Sequence, residues 1–351
     1  MSPTTFDLAP GYAVSRVVRG GWQLAGGHGA IDRAQAVDDL IAAFDAGIRA
    51  YDCADIYTGV EELIGAARRR LADERGLAAA RSVKVHTKLV PDLDQLASVS
   101  RDYIRGIVDR SLARLGAERL DLVQFHWWDY SFGAYVDALG WLDDLRREGK
   151  IHLLGTTNFD TPRLSEILEA GIPLVSQQLQ YSVLDQRPTH GLSTLAAAHG
   201  VHFLCYGSVA GGFLSDRWLG APEPVGVLEN RSLVKYKLVI DDFGGWDLFQ
   251  ALLRALRAVA DRHQSDIATI ASAWVLEQPR VAAVIVGARN RAHALANARI
   301  MHTTLEARDR AEIHAVIAQS PGLEGDVYTL ERDRTGRHGA IMHYNLNDGR
   351  T

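Results

Sequence analysis

Apolar residues along this chain follow two alternating patterns. Short unbroken runs, bounded by polar or turn residues, are separated by longer stretches in which apolar positions recur every three or four residues. The short runs predict strands at Arg16–Gly21, Ile48–Asp52, Val83–Lys88, Asp121–His126, His152–Thr156, Leu174–Gln178, His202–Tyr206 and Ala283–Gly287. Several are continuous rather than alternating, the mark of parallel strands covered on both faces. The longer stretches predict amphipathic helices. Val37, Leu40, Ile41 and Phe44 precede the second strand, and Ile104, Ile107, Val108, Leu112 and Leu115 precede the fourth. Leu139, Leu142 and Leu145 run up to a Gly149-Lys150 stop before the fifth. Repeated strand-then-helix order predicts an α/β fold with a parallel sheet. A doubly wound open sheet has the same alternation. Eight strands, with no G-x-G-x-x-G turn after the first, favour a closed (β/α)8 TIM barrel.

Two segments interrupt the rhythm. Gly207 to Trp246 reads as a long connection after the seventh strand, and its Phe213, Trp218, Tyr236, Phe243 and Trp246 predict an ordered lid. The tail after Gly322 carries Tyr328, Met342 and Tyr344, which can fold back over one end of the barrel. The 351 residues suit one barrel of about 250 residues with insertions. The expected organisation is a single domain over 1–351, with the barrel at about 12–318 and a tail over 319–351.

Composition narrows the class. A net charge of −5 offers no cationic face for nucleic acid. No apolar run approaches the roughly 20 residues that cross a bilayer, and the first residues lack the pattern of a secretory signal. Cys53 and Cys205, far apart, indicate neither a disulfide framework nor a metal site. A cytoplasmic protein acting on small molecules is expected, with no metal, nucleic-acid or membrane partner.

Barrel enzymes place their chemistry at the C-terminal strand ends. Asp52 and Tyr57 follow the second predicted strand, Lys88 ends the third and His126 ends the fourth. Each alone suits a structural role: a helix cap, a packed aromatic, a solvated amine, a hydrogen-bonded core imidazole. Their combination on one rim is far less expected by chance. At these residues the chain resembles the aldo-keto reductase family. The resemblance is carried by Gly47-Ile-Arg-Ala-Tyr-Asp-Cys-Ala-Asp-Ile-Tyr57 with Glu61-Glu-Leu-Ile-Gly65, by Ser111-Leu-Ala-Arg-Leu115 with Asp121 and His126, and by Gly149-Lys-Ile-His-Leu-Leu-Gly-Thr-Thr-Asn-Phe159. It extends from about Arg16 to about Arg299.

The resemblance implies carbonyl reduction by hydride transfer, with Tyr57 as general acid or base and Asp52, Lys88 and His126 completing a tetrad. A phenol ordinarily titrates at about 10, and an adjacent ammonium would lower that value. Asp52 would hold the buried Lys88, and His126 would donate a hydrogen bond to the substrate oxygen. The resemblance also implies NADP, with NAD possible. Gly21, Trp22 and Asp52 would lie near the nicotinamide, Thr157, Asn158 and Gln178 on its carboxamide, and Tyr206 against its ring. Ser208 and Gly211, in the glycine-rich Gly207–Gly212 turn, would wrap the pyrophosphate. Gly287, Arg289 and Asn297 would surround the adenosine 2′-phosphate, Arg289 as a bidentate partner. Family members often carry an arginine near His293 and a glutamate near Ala296, and this chain departs from both. Trp22, Tyr57, His126, Trp127 and Trp128 are expected around a substrate that is an aldehyde, a ketone or a sugar. Two alternatives remain at this stage: a cofactor-binding regulatory subunit on the same scaffold, and a class I aldolase using Lys88.

Overall fold

A computed structural model describes residues 4–25, 31–288 and 290–347. Eight parallel strands close into a barrel: β3 (Val17–Gly20), β4 (Ala50–Asp52), β5 (Lys84–Leu89), β6 (Leu120–Phe125), β7 (Ile151–Thr157), β8 (Leu174–Gln180), β9 (His202–Tyr206) and β10 (Val281–Gly287). Closure runs through β10 and β3, with Val284 opposite Val17 and Gly287 opposite Gly20. This is the expected TIM barrel, and each strand lies within two residues of its predicted bounds. Val281–Val286 is buried at every position, because one face meets the barrel interior and the other the surrounding helices. Side-chain caps fix where several helices begin. Asp32 accepts from the Ala34 and Gln35 amides, Ser100 from Tyr103, Asp160 from Arg163 and Asp266 from Thr269.

A hairpin precedes the barrel and was not predicted. β1 (Thr5–Ala9) and β2 (Tyr12–Ser15) pair antiparallel through a turn in which Gly11 takes φ 72°, a left-handed conformation that suits glycine. Leu8, Tyr12 and Val14 pack against Val18, Ala50, Leu122, Leu204 and Ala283, and Ser15 Oγ accepts from the Arg49 and Ala50 amides. The hairpin therefore plugs the N-terminal end of the barrel.

The expected long loop after β9 is only partly a loop. The chain runs irregularly from Gly207 to Asn230, then forms helix Arg231–Phe243 and helix Gly245–Arg262. Leu233, Tyr236, Val239, Ile240 and Phe243 share the buried face of the first helix, and Asn230 caps it through the Leu233 amide. That spacing is helical, but the Gly- and Pro-rich approach to it hid the helix.

At the opposite end from the hairpin, the tail crosses the C-terminal strand ends. Its short helix Thr329–Arg332 and the residues beyond reach the loops after β5, β6 and β7. Asn347 donates to the Val90 carbonyl at 2.6 Å, and the Asp94 amide donates to Asn345 at 3.1 Å. Among the described residues no helix is long and apolar enough to cross a membrane.

Candidate active site

Asp52 ends β4, and its side chain faces Lys88, the penultimate residue of the neighbouring β5. Lys88 Nζ donates to Asp52 Oδ2 at 2.6 Å and to the Cys53 carbonyl at 2.9 Å. Asp52 Oδ1 accepts from Gln178 Nε2 at 2.7 Å and from Gln124 Nε2 at 3.3 Å. Both charged side chains are nearly out of water, at 8% and 5% exposure. The amide hydrogen bonds offset much of the cost of burying the carboxylate. Burial pulls the ammonium toward discharge, but Asp52 and Tyr57 outweigh it and hold Lys88 above its ordinary value.

Tyr57 stands in the turn after β4, its amide donating to the Ala54 carbonyl at 3.0 Å. Lys88 Nζ lies 4.9 Å from the centre of its ring. Trp22 flanks the ring at 5.1 Å. Lys88 does pull the phenol down, as expected, but burial has the larger effect and leaves Tyr57 above its ordinary value. The resting group is the protonated phenol.

His126 directly follows β6. Its Nδ1 lies 3.2 Å from the Thr157 carbonyl, which can only accept, so Nδ1 carries the hydrogen. Burial, aided by the positive charges of Arg332 and Lys88, holds the ring down to about 3 against the opposing pull of the Thr157 bond. A neutral ring protonated on Nδ1 has a bare Nε2, and that atom is buried without a hydrogen-bond partner among the described residues. His126 is thus set to accept a hydrogen bond, not to donate one as the sequence reading expected.

These groups open onto a cavity of about 710 Å³ that Trp22, Asp52, Tyr57, Lys88, His126, Trp128, Thr157, Asn158, Gln178, Tyr206, Gly211, Gly287 and Asn297 all help to line. The size suits a ligand site. Asn158, at φ 63°, accepts from Tyr206 Oη at 2.8 Å through Oδ1. Gln178 spends its amide on Asp52 and Gln124. Asn297 Nδ2 donates to the Gly287 carbonyl at 3.0 Å.

Three expected residues are turned elsewhere. Trp127 is 0% exposed; its Nε1 donates to the Asp129 and Phe132 carbonyls, and its ring packs on Phe125 and Tyr135. It supports the loop and does not line the cavity. Ser208 is buried with its Oγ 3.0 Å from Ser272 Oγ. Gly21 also lies outside the lining: its amide donates to the Asp52 carbonyl, and a Cβ there would sit 2.6 Å from that oxygen. Glycine is needed at 21 for chain packing. Arg289 lies outside the described residues.

Other lining residues went unnoticed in the sequence: Arg217, Arg231 and Lys235, which bring positive charge, and His343. Tyr328 and Met342 of the tail line the cavity too, consistent with a tail that folds back over one end of the barrel. Gln124, beneath them, completes the amide set around Asp52. A strand glutamine, or an arginine in an irregular loop, gives no local signal of its role.

Residues 16–318 match the Aldo/keto reductase family. The chain belongs to the aldo/keto reductase family. This aldo-keto reductase is similar to flagellar radial spoke protein 5 of Chlamydomonas reinhardtii, at 29% identity over 263 residues, covering 64% of this chain and 49% of that protein. It therefore spans about half the length of that relative. It is 28% identical over 292 residues to NADH-specific methylglyoxal reductase of Escherichia coli (strain K12), covering 78% of this chain and 86% of that one. The solved holo form of an aldo-keto reductase from Bacillus halodurans shares the fold with a TM-score of 0.68 at 26% identity, covering 92% and 96% of the two chains.

Proposed function

We propose that this chain reduces an aldehyde or ketone to an alcohol, or runs the reverse reaction, with a nicotinamide cofactor and with Tyr57 as the proton donor. The observation that carries the reading is a protonated phenol held against a paired, charged lysine in a ligand-sized cavity. When bound, the reduced nicotinamide supplies the hydride. As negative charge develops on the carbonyl oxygen, Tyr57 delivers its proton. Lys88⁺ stabilises the tyrosinate left behind, and Asp52 keeps Lys88 in place. The bare Nε2 of His126 accepts from a hydroxyl, either the phenol or the alcohol, and so orients the proton path.

The residues present fit the cofactor. Gly207, Gly211, Gly212 and Gly287 line one wall, with Arg217 and Arg231 in the same lining. Gly211 takes φ 65°, and a Cβ there would meet the Tyr236 ring at 2.8 Å. Glycine amides with two guanidinium groups suit an extended diphosphate. Tyr206, Asn158, Thr157 and Gln178 would hold the nicotinamide end. Gly287, Arg289 and Asn297 would take the 2′-phosphate of NADP. The NADH specificity named for the Escherichia coli relative makes NAD the competing cofactor. Arg289→Ala is expected to weaken NADPH by about 2 kcal/mol, the scale of a lost hydrogen bond to a charged group, and to spare NADH. Equal effects on both cofactors would remove Arg289 from the phosphate site.

Trp22, Ile56, Val90, Trp128 and Met342 line the cavity together with Tyr57 and His126, which supports a compact, partly apolar carbonyl or a sugar ring. A panel of aldehydes, ketones and sugars assayed with NADPH and NADH tests the reading, and oxidation of neither cofactor by any of them would overturn it. Tight cofactor binding without turnover would instead favour a regulatory subunit. The aldolase alternative is weakened because Lys88 is held charged, and a Schiff base needs the free amine. Cys53 and Cys205, both free and buried, suit the cytoplasm.

A further inference from the structure

The loops that present His126 and Asn158 leave β6 and β7 side by side, and three of their backbone carbonyls converge on one guanidinium. Arg332, in the tail, donates to the carbonyls of Trp127, Trp128 (2.9 Å) and Asn158 (2.7 Å). Its guanidinium also lies 4.0 Å from the centre of the Tyr130 ring. Trp127 is the residue after His126, and Asn158 is the residue after Thr157. The Thr157 carbonyl is the one that holds His126 Nδ1. The hydrogen bond that fixes the imidazole thus runs between the same two loops that Arg332 ties together.

The tail delivers Arg332 with two further contacts. Tyr328, at φ 62°, sets its ring edge-on to His126 at 5.6 Å. Glu331 is fully buried on Arg187. A planar guanidinium carries five donors in a fixed fork and can satisfy three separated carbonyls, whereas a lysine offers a single point of charge.

We propose that Arg332 is a positioning residue for the reaction: it sets the spacing of the β6 and β7 loops, and through it the orientation of His126. The inference rests on the proposed role of His126, and it makes the active site incomplete without the tail. The charged and titratable groups that face His126 are Lys88 from the barrel and Arg332 and Tyr328 from the tail. Burial is the main reason the ring is neutral, and Arg332 and Lys88 add to it; loss of Arg332 removes one of these two cations and shifts the ring's titration upward.

The test uses the full chain with Arg332→Ala and Arg332→Lys, read by kcat and KM, by NADPH fluorescence titration and by ¹⁵N-histidine NMR of the free protein. Arg332→Ala is expected to lower kcat by roughly 10²-fold, the scale of an active-site misplacement of about 1 Å, with a smaller change in carbonyl KM. Added guanidinium ion should restore part of that loss and leave the wild type unaffected. The His126 resonances should report Nδ1–H and no titration near neutrality in the wild type, and an upward-shifted titration in Arg332→Ala. Arg332→Lys, which keeps charge but not the fork, should fall between the two, and it carries the test if the alanine variant does not fold. Wild-type kcat in a folded variant, or a loss with unchanged His126 resonances and no guanidinium rescue, would overturn the proposal. If the wild type shows no turnover, the functional reading fails instead, and the NMR comparison still decides the role of Arg332.

Discussion

Among the described residues, ion pairs with both partners buried fall in two clusters that look alike on paper. Asp52 and Lys88 form one; Asp185, Arg187 and Glu331, with Lys235 at their edge, form the other. In the second, Arg187 spreads its fork over Asp185 at 2.8 Å and Glu331 at 3.0 Å, and these acids leave the guanidinium no ligand to seek. In the first, the pair itself lines the cavity beside a phenol and near a buried imidazole nitrogen with no partner among the described residues, whereas only Lys235 of the second reaches that lining. A buried ion pair is therefore no marker of catalysis by itself. What sets the Asp52–Lys88 pair apart is where the unspent capacity lies. His126, with its bare Nε2, lines the cavity, whereas Gln180, whose Oε1 is also without a partner among the described residues beside Asp185, does not. The closed cluster instead anchors the tail, since Glu331 lies 144 residues from Arg187.

The comparison can be broken most decisively at Tyr57. Tyr57→Phe is expected to lower kcat by on the order of 10²–10⁴-fold, the range for positioned proton transfer, while NADPH affinity and thermal midpoint stay near wild type. Turnover at the wild-type rate would show that the open cluster is not the proton source. Glu331→Ala is expected to act on folding instead, costing about 3 kcal/mol, because it removes one of the two carboxylates on the buried Arg187 and the partner of Lys235. Denaturant unfolding measures this, and a stability loss below about 1 kcal/mol, the size of an exposed pair, would remove the anchoring role.

Acid sharpens the same contrast. Burial alone would raise the Glu331 carboxyl, but Arg187 and Lys235 outweigh it and hold it down at about 2. A folded-state value below the unfolded one gives stabilisation that is fully present above the ordinary glutamate range and lost as pH falls toward about 2. The wild type should lose stability across that window, and Glu331→Gln should flatten the slope. An unchanged slope would mean that other carboxylates govern acid unfolding. The smallest effect is expected at Trp128, whose ring meets His126 edge-on at 4.3 Å. Trp128→Ala should shift discrimination among aldehydes by about 1–3 kcal/mol with NADPH affinity constant. A uniform loss across the panel would make Trp128 a packing residue.

How much of this was legible in the sequence follows from where each signal resides. The eight strands could be read because a parallel strand covered on both faces needs an unbroken apolar run, as Val281–Val286 has. The hairpin could not, since β1 is short and half exposed. Asp52, Tyr57, Lys88 and His126 could be placed because strand ends locate them. Trp127 and Trp128 are adjacent and chemically alike, and only the local path of the loop after β6 turns one inward and the other to the cavity. The hydrogen on His126 Nδ1 depends on a carbonyl 31 residues away. Arg332 joins carbonyls 174 to 205 residues distant, and no local pattern announces such a contact.

The N-terminal hairpin has a kinetic consequence. Leu8, Tyr12 and Val14 cover the end of the barrel opposite the cavity, over an interior already filled by side chains, so the site is a sack and not a tunnel. Met342 and His343 of the tail help to line the cavity. If the nicotinamide lies on the strand ends against Tyr206, beneath those residues, the reactants can exchange only in sequence. The cofactor would then go in first and come out last. Product inhibition should then be competitive between the two forms of the cofactor, whichever carbonyl is being reduced.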